Sequence, residues 1–163
     1  MNIDNIFSIE PFGWSCIFAS FFCGALIGLE RQLRGKPVGI RTSSLIVLGT
    51  YFFVTVALLV NNDMSDPSRI IGQIVTGISF LGAGVMMTKE GIVVGVTSAA
   101  TIWSLAAIGV CIPVVGPLVA IKLSLIVVVI LYGVDLLEVY SSTLTRGVHS
   151  KYNNWRKKSN NQD

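Results

Sequence analysis

Four stretches of this chain contain no aspartate, glutamate, lysine or arginine: Phe12–Leu29, Thr42–Val60, Ile70–Met87 and Gly91–Ile121. A helix that crosses a bilayer needs about 20 mainly apolar residues, because each residue adds about 1.5 Å toward a hydrocarbon core of about 30 Å. The first three runs each suit one crossing. The fourth is longer and contains Pro113, Gly116 and Pro117, so it reads as one helix ending, a tight turn, and another helix beginning. That last helix continues through LVAIKLSLIVVVILYGV. A soluble bundle would show polar faces at the helical period, and these runs lack them. Charged residues make up 13% of the chain, against about a quarter in soluble domains. The expected fold is an all-α membrane protein, a bundle of about five transmembrane helices. The spans fall at about 12–29, 42–60, 70–87, 96–113 and 117–137 within a membrane domain over 1–140. A short basic tail, 141–163, follows.

Orientation follows from the basic residues in the connections. With five spans, one side carries Arg31, Arg34, Lys36 and Arg41, then Lys89, then Arg146, Lys151, Arg156, Lys157 and Lys158. The other side has Arg69, with Lys122 just inside the fifth helix. The expectation is an N-terminus outside and a C-terminus in the cytoplasm. The opening MNIDNIFSIE is acidic and has no small-residue cleavage site, so no cleaved signal peptide is expected. Cys16 and Cys23 are about 10 Å apart along one helix, beyond disulfide reach. The single histidine, His149, lies outside the spans, and no metal site or cofactor is expected.

Two segments resemble each other. FFCGALIGLERQLRGKPVGIRTSSLIVLG and SFLGAGVMMTKEGIVVGVTSAATIWSLAAIG both pass from a Gly-Ala pair through a charged turn. Both enter the next helix through glycine and then Thr-Ser: Gly39, Thr42 and Ser43 against Gly95, Thr97 and Ser98. This pattern suggests parallel two-helix repeats related by an axis along the membrane normal. Thr42 and Thr97 are suitable N-caps, and helix N-termini carry free N–H groups and partial positive charge. Glu30, Arg31, Arg41, Thr42 and Thr97 therefore form a candidate cytoplasmic electrostatic site. One reading is a receptor for a carboxylate or phosphate. The favoured one is internal, with Glu30 as counter-ion to Arg31 or Arg41. At the outer side, Asp66 suits an N-cap, Pro67 the first helical position, and Arg69 a return contact. An outward-facing cation contact at Asp66 is the alternative.

The stretch GISFLGAG lies inside the third run. Small residues let helix backbones meet in lipid, where apolar side chains alone give no net attraction. Gly24, Gly28, Gln73, Gly77, Gly82 and Gly84 are the candidate helix-packing or partner face, and the third helix is expected at the centre of the bundle. Gln73 stands apart, because an amide inside a span must find a hydrogen-bond partner.

Taken in order, GALIGLERQ, GIRTSSLIVLG, DPSRI, GISFLGAGVMM and GVTSAATIWSLAAIG resemble the MgtC/SapB family of bacterial inner-membrane proteins, over roughly Gly24 to Gly109. The resemblance implies a five-span membrane domain, a link to growth under magnesium limitation and, in pathogens, survival inside macrophages. It also implies a regulatory mechanism, by binding the proton-translocating ATP synthase or by altering membrane potential. Many relatives have histidine where this chain has Ser43, and glycine where it has Ser79. Better-studied members add a cytoplasmic domain, so a short form is expected here.

Three function classes remain to be ranked. An enzyme is disfavoured, since the spans hold no nucleophile–base pair and no phosphate-cradling loop. A magnesium or other ion transporter, formed as an oligomer, comes second. Mg²⁺ prefers hard oxygen ligands, and transport sites lie near the midplane, whereas Asp63, Asp66, Glu30, Glu90 and Asp135 all fall toward span ends. A multi-pass regulator that binds partner helices comes first, its partners being the bilayer, a membrane protein or a second copy, and no nucleic acid.

Overall fold

The computed structural model describes residues 9–60, 67–89 and 92–140. Among the described residues there are five long helices: α1 (Trp14–Leu33), α2 (Ile40–Leu59), α3 (Pro67–Gly84), α4 (Val96–Val114) and α5 (Pro117–Tyr140). Four of them are long and apolar enough to cross a membrane: Trp14–Leu33, Ile40–Leu59, Val96–Val114 and the Pro117–Val134 part of α5. The 18-residue α3, with Arg69 and Gln73, is not among those four. The fold is an all-α membrane bundle. Two units divide at Val128, and the packing below is that of the first.

The core lies where α1, α2 and α4 meet. Buried residues recur at helical spacing: Ser20, Cys23, Gly24, Ile27 and Gly28 on α1; Ser43, Val47, Thr50, Tyr51 and Val54 on α2; Ser98, Ile102, Leu105, Gly109 and Ile112 on α4. Two close approaches set the geometry. A Cβ added at Gly24 would collide with the Ser44 backbone, and one at Gly28 would lie 2.6 Å from the Ile40 Cα. A Cβ at Gly109 would lie 2.6 Å from the Thr50 Cβ and 2.7 Å from the Val47 carbonyl. Glycine at these positions removes the side chain that would otherwise hold the helices apart. Several hydroxyls inside the helices return to their own backbone, as with Ser20 to the Cys16 carbonyl at 2.7 Å and Thr101 to the Thr97 carbonyl at 2.8 Å. Such bonds make a polar residue tolerable in lipid.

The third helix does not occupy the centre. Its half-buried side carries Ile71, Ile74 and Ile78 and continues to buried Gly82, while Gly72, Gln73, Thr76, Gly77, Ser79, Ala83 and Gly84 are exposed. A Cβ at Gly77 or Gly84 would meet nothing within 4 Å, and at Gly82 only Ala99 at ordinary contact distance. The isoleucine face, with more surface to bury, is the one that packs, and it turns the small residues outward.

α3 ends at Gly84, before the expected limit at 87. A two-stranded antiparallel hairpin follows, β1 (Met87–Lys89) and β2 (Ile92–Val94), with Met87 opposite Val94 and Lys89 opposite Ile92. The β-branched run at 92–94 favours the strand. Gly95 then starts α4 with φ +92°, and a Cβ there would collide with the Val85 carbonyl.

The two segments of the suggested repeat place equivalent residues in contact: Gly24 against Ser44 and Gly82 against Ala99. Gly39 and Gly95 precede both second helices. The connections differ, one a tight turn and the other the hairpin.

Candidate functional site

The polar cluster of the first unit is built on the turn between α1 and α2. α1 closes in a glycine-terminated cap: the Gly35 N–H donates to the Gln32 carbonyl at 3.1 Å, and the Lys36 N–H to the Arg31 carbonyl at 2.9 Å. This paired pattern needs a left-handed residue after the helix, and Gly35 supplies φ +62°. Val38 also has positive φ, +71°, which is costly for a β-branched residue. It is held by burial and by the Ser43 hydroxyl, which donates to its carbonyl at 3.0 Å.

The N-caps of α2 and α4 are Gly39 and Gly95, with no side-chain cap at either. Thr42 and Thr97 therefore lie inside the first helical turns, both exposed, rather than at the caps expected of them. The close approach at Gly28 draws the α2 start onto α1, one turn earlier than Thr-Ser would cap it. The Ile40 N–H is instead 3.4 Å from the Gln32 side-chain oxygen.

Glu30 and Arg31 are both buried, Arg31 to 4% exposure. Arg34 Nε lies 2.6 Å from Glu30 Oε1, and Arg31 lies 3.7 Å from Glu30 Oε2. Neither Glu30 oxygen receives an aligned hydrogen bond, so both contacts are held by charge rather than by N–H direction. Arg34 is not among the residues expected at this site, although its spacing four residues after Glu30 signals such a pair. Arg41 is exposed in the first turn of α2, and Thr97 belongs to α4 and takes no part in these ion pairs. Arg69 is exposed in the first turn of α3, and Asp66 lies outside the described residues. Among the described residues, no group of three His, Cys, Asp or Glu side chains is arranged to hold a metal.

Gly24 and Gly28 face α2, whereas Gln73, Gly77 and Gly84 occupy the exposed side of α3. Thr76 and Ser79 on that side donate to the Gly72 and Val75 carbonyls at 3.0 and 2.8 Å. Gln73 has no such arrangement.

Comparison with known proteins gives a consistent picture. A family model described as the MgtC family matches residues 17–140. "Protein MgtC" of Brucella abortus (strain 2308) is 47% identical over 97 residues, covering 59% of this chain and 40% of that protein. "Putative magnesium transporter YhiD" of Escherichia coli (strain K12) is 46% identical over 100 residues, 57% of this chain and 46% of that protein. "Protein MgtC" of Salmonella typhimurium (strain 14028s / SGSC 2262) is 45% identical over 94 residues, 58% of this chain and 40% of that protein. The aligned part thus spans less than half the length of these relatives. No solved structure matches the chain significantly.

Proposed function

From the premise that this chain belongs to the MgtC family, we propose that it is a magnesium-linked regulator that acts by binding the helices of a membrane partner. The protein is a multi-pass protein of the bacterial plasma membrane. One observation carries the regulatory reading. α3 packs through isoleucine and leaves Gln73, Gly77, Phe80 and Gly84 along one exposed stripe, Phe80 at 80% exposure. In lipid such a stripe gains little from the tails, while a partner helix can approach closely at the glycines and satisfy the Gln73 amide. By family resemblance the partner is the ATP synthase, and the role extends to adaptation to low magnesium and to intramacrophage survival in pathogens. The activity is non-enzymatic in this reading. The N-terminus lies outside and the C-terminus in the cytoplasm.

A second reading has one supporting observation: the E. coli relative carries the name of a putative magnesium transporter. In an oligomer, the same α3 stripe would line an ion path.

Two measurements separate the readings. A photo-crosslinking residue at Thr76 should capture a partner in the membrane, and Gly77→Leu should abolish capture while leaving the fold intact, since nothing lies within 4 Å of that position. Purified protein in liposomes should give no saturable Mg²⁺ uptake above empty liposomes. Protein-dependent uptake that Gly77→Leu removes would replace the regulator with the transporter.

A further inference from the structure

Three buried polar atoms near the end of α1 are used by neither functional reading. Among the described residues, Glu30 Oε1, Glu30 Oε2 and Arg31 Nε lie out of solvent with no aligned hydrogen-bond partner. Arg31 is 4% exposed and Glu30 8%. Polar atoms buried to this degree are normally satisfied, by protein or by ordered water.

Their own geometry keeps them from satisfying one another. Adjacent residues leave a helix about 100° apart and do not face each other. Arg31 Nη1 stands 3.7 Å from Glu30 Oε2, too far for a direct hydrogen bond. A polar contact of that length between buried groups raises the question of a bridging molecule. Arg34 Nε, 2.6 Å from Glu30 Oε1, supplies charge without an aligned N–H. The nearby backbone is already engaged, since the Arg31 carbonyl accepts from the Lys36 N–H and the Val38 carbonyl from the Ser43 hydroxyl.

The chemistry of the three atoms selects what fits between them. Nε is a donor, and the two carboxylate oxygens are acceptors. An added anion would serve the donor and repel the carboxylate. An added cation would serve the carboxylate and be repelled by two arginines. Water has O–H donors and acceptor lone pairs together, so one molecule answers both kinds of atom. Buried waters typically make about three such bonds, and each needs little more room than its own volume.

Depth places water within reach. Arg31 lies 17 residues beyond Trp14, the exposed aromatic at the start of α1. That separation is about 26 Å of helical rise. With Trp14 at one interface, Arg31 reaches the opposite headgroup layer of a core about 30 Å thick. Arg34, in contact with Glu30, is 25% exposed and links the buried pair to the aqueous side.

We propose that one ordered water is held between Arg31 and Glu30 at the α1–α2 turn. It accepts from the Arg31 Nε–H and donates to the Glu30 carboxylate, joining the two buried charges into one hydrogen-bonded unit. The site is separate from the α3 stripe, so its failure leaves the partner-binding reading untouched.

The test uses the full chain in detergent with ¹⁵N-labelled arginine, and reads rotating-frame magnetisation transfer from water to the Arg31 Nε–H. A water held beside that proton gives a dipolar cross peak, opposite in sign to the peak from chemical exchange with bulk water. Wild type should show the dipolar sign at Arg31 and the exchange sign at Arg41, which is exposed. Glu30→Ala removes the water's acceptors and should lose the dipolar peak. Should that variant not fold, a wild-type crystal structure at a resolution that orders waters should show one bonded to both Arg31 Nε and Glu30. An Arg31 proton with no cross peak or only the exchange sign would overturn the proposal. So would a dipolar peak that survives in folded Glu30→Ala, or a crystal structure with Nε bonded directly to Glu30.

Discussion

Gly24→Ala should destabilise the first unit, whereas Gly77→Ala should leave it unchanged or slightly more stable. Both substitutions add one methyl to a helix interior, where alanine is favoured over glycine by about 1 kcal/mol. At Gly77 the new Cβ meets nothing within 4 Å, so this gain stands. At Gly24 the Cβ would occupy the space of the Ser44 backbone, and backbone cannot rotate away as a side chain can. Separating α1 from α2 loosens the most extensive helix contact of the unit. Overpacking of a tight core typically costs about 1–3 kcal/mol, enough to reverse the propensity gain. Thermal unfolding in detergent, followed by circular dichroism, should show a lower midpoint for Gly24→Ala than for wild type. Gly24→Leu should yield no folded protein. A Gly24→Ala midpoint equal to that of Gly77→Ala would mean that α1 and α2 do not meet at this residue.

Removing the Glu30 carboxylate should have a comparable or larger effect. Glu30→Ala leaves Arg31 buried with no anion, because Glu30 is the one ionic partner it has among the described residues. Breaking a buried pair by deleting one member costs about 3–5 kcal/mol, mostly the penalty of the stranded charge. The double variant Glu30→Ala with Arg31→Met should recover much of that loss, since no fully buried charge is left stranded and Arg34, which also loses Glu30, is 25% exposed and can be hydrated. Thermal unfolding in detergent, followed by circular dichroism, gives the measurement. A single variant as stable as wild type would show that Arg31 has moved into solvent.

Much of the framework was readable from the chain, and the reason differs by feature. Uncharged runs of membrane-spanning length mark helices because no polar backbone can lie unpaired in hydrocarbon. Pro117 after Gly116 marks the α4–α5 turn for the same local reasons of φ and missing N–H. The strands at 87–89 and 92–94 are not legible in the sequence, since three-residue strands beside a predicted helix leave almost no periodic signal. The helix starts at Ile40 and Val96 were expected near Thr42 and Thr97, by capping preference. Close packing at Gly28 set one of them, and the tight junction of Gly95 with Val85 set the other.

The candidate site was legible by residue type but not by partnership. Glu30 and Arg31 stood out as charges at a span end, and the structure adds that both are buried and that Arg34 makes the nearer contact to the carboxylate. Burial of a charged residue depends on what the opposite helix places over it, and one helix alone carries no such information.

The sequence by itself determined that this is a membrane bundle, which segments form its long helices, and where glycine makes close approach possible. Only the tertiary structure decided which glycines are used. Gly24, Gly28 and Gly109 lie against other helices, and Gly77 and Gly84 do not. α3 has two faces at the same helical period, one of isoleucine and one of small and polar residues, and either could turn inward on pattern alone. Its rotation was settled by the surfaces of α2 and α4, on which the larger isoleucine side chains bury more area. That choice left Gln73 and the small residues exposed.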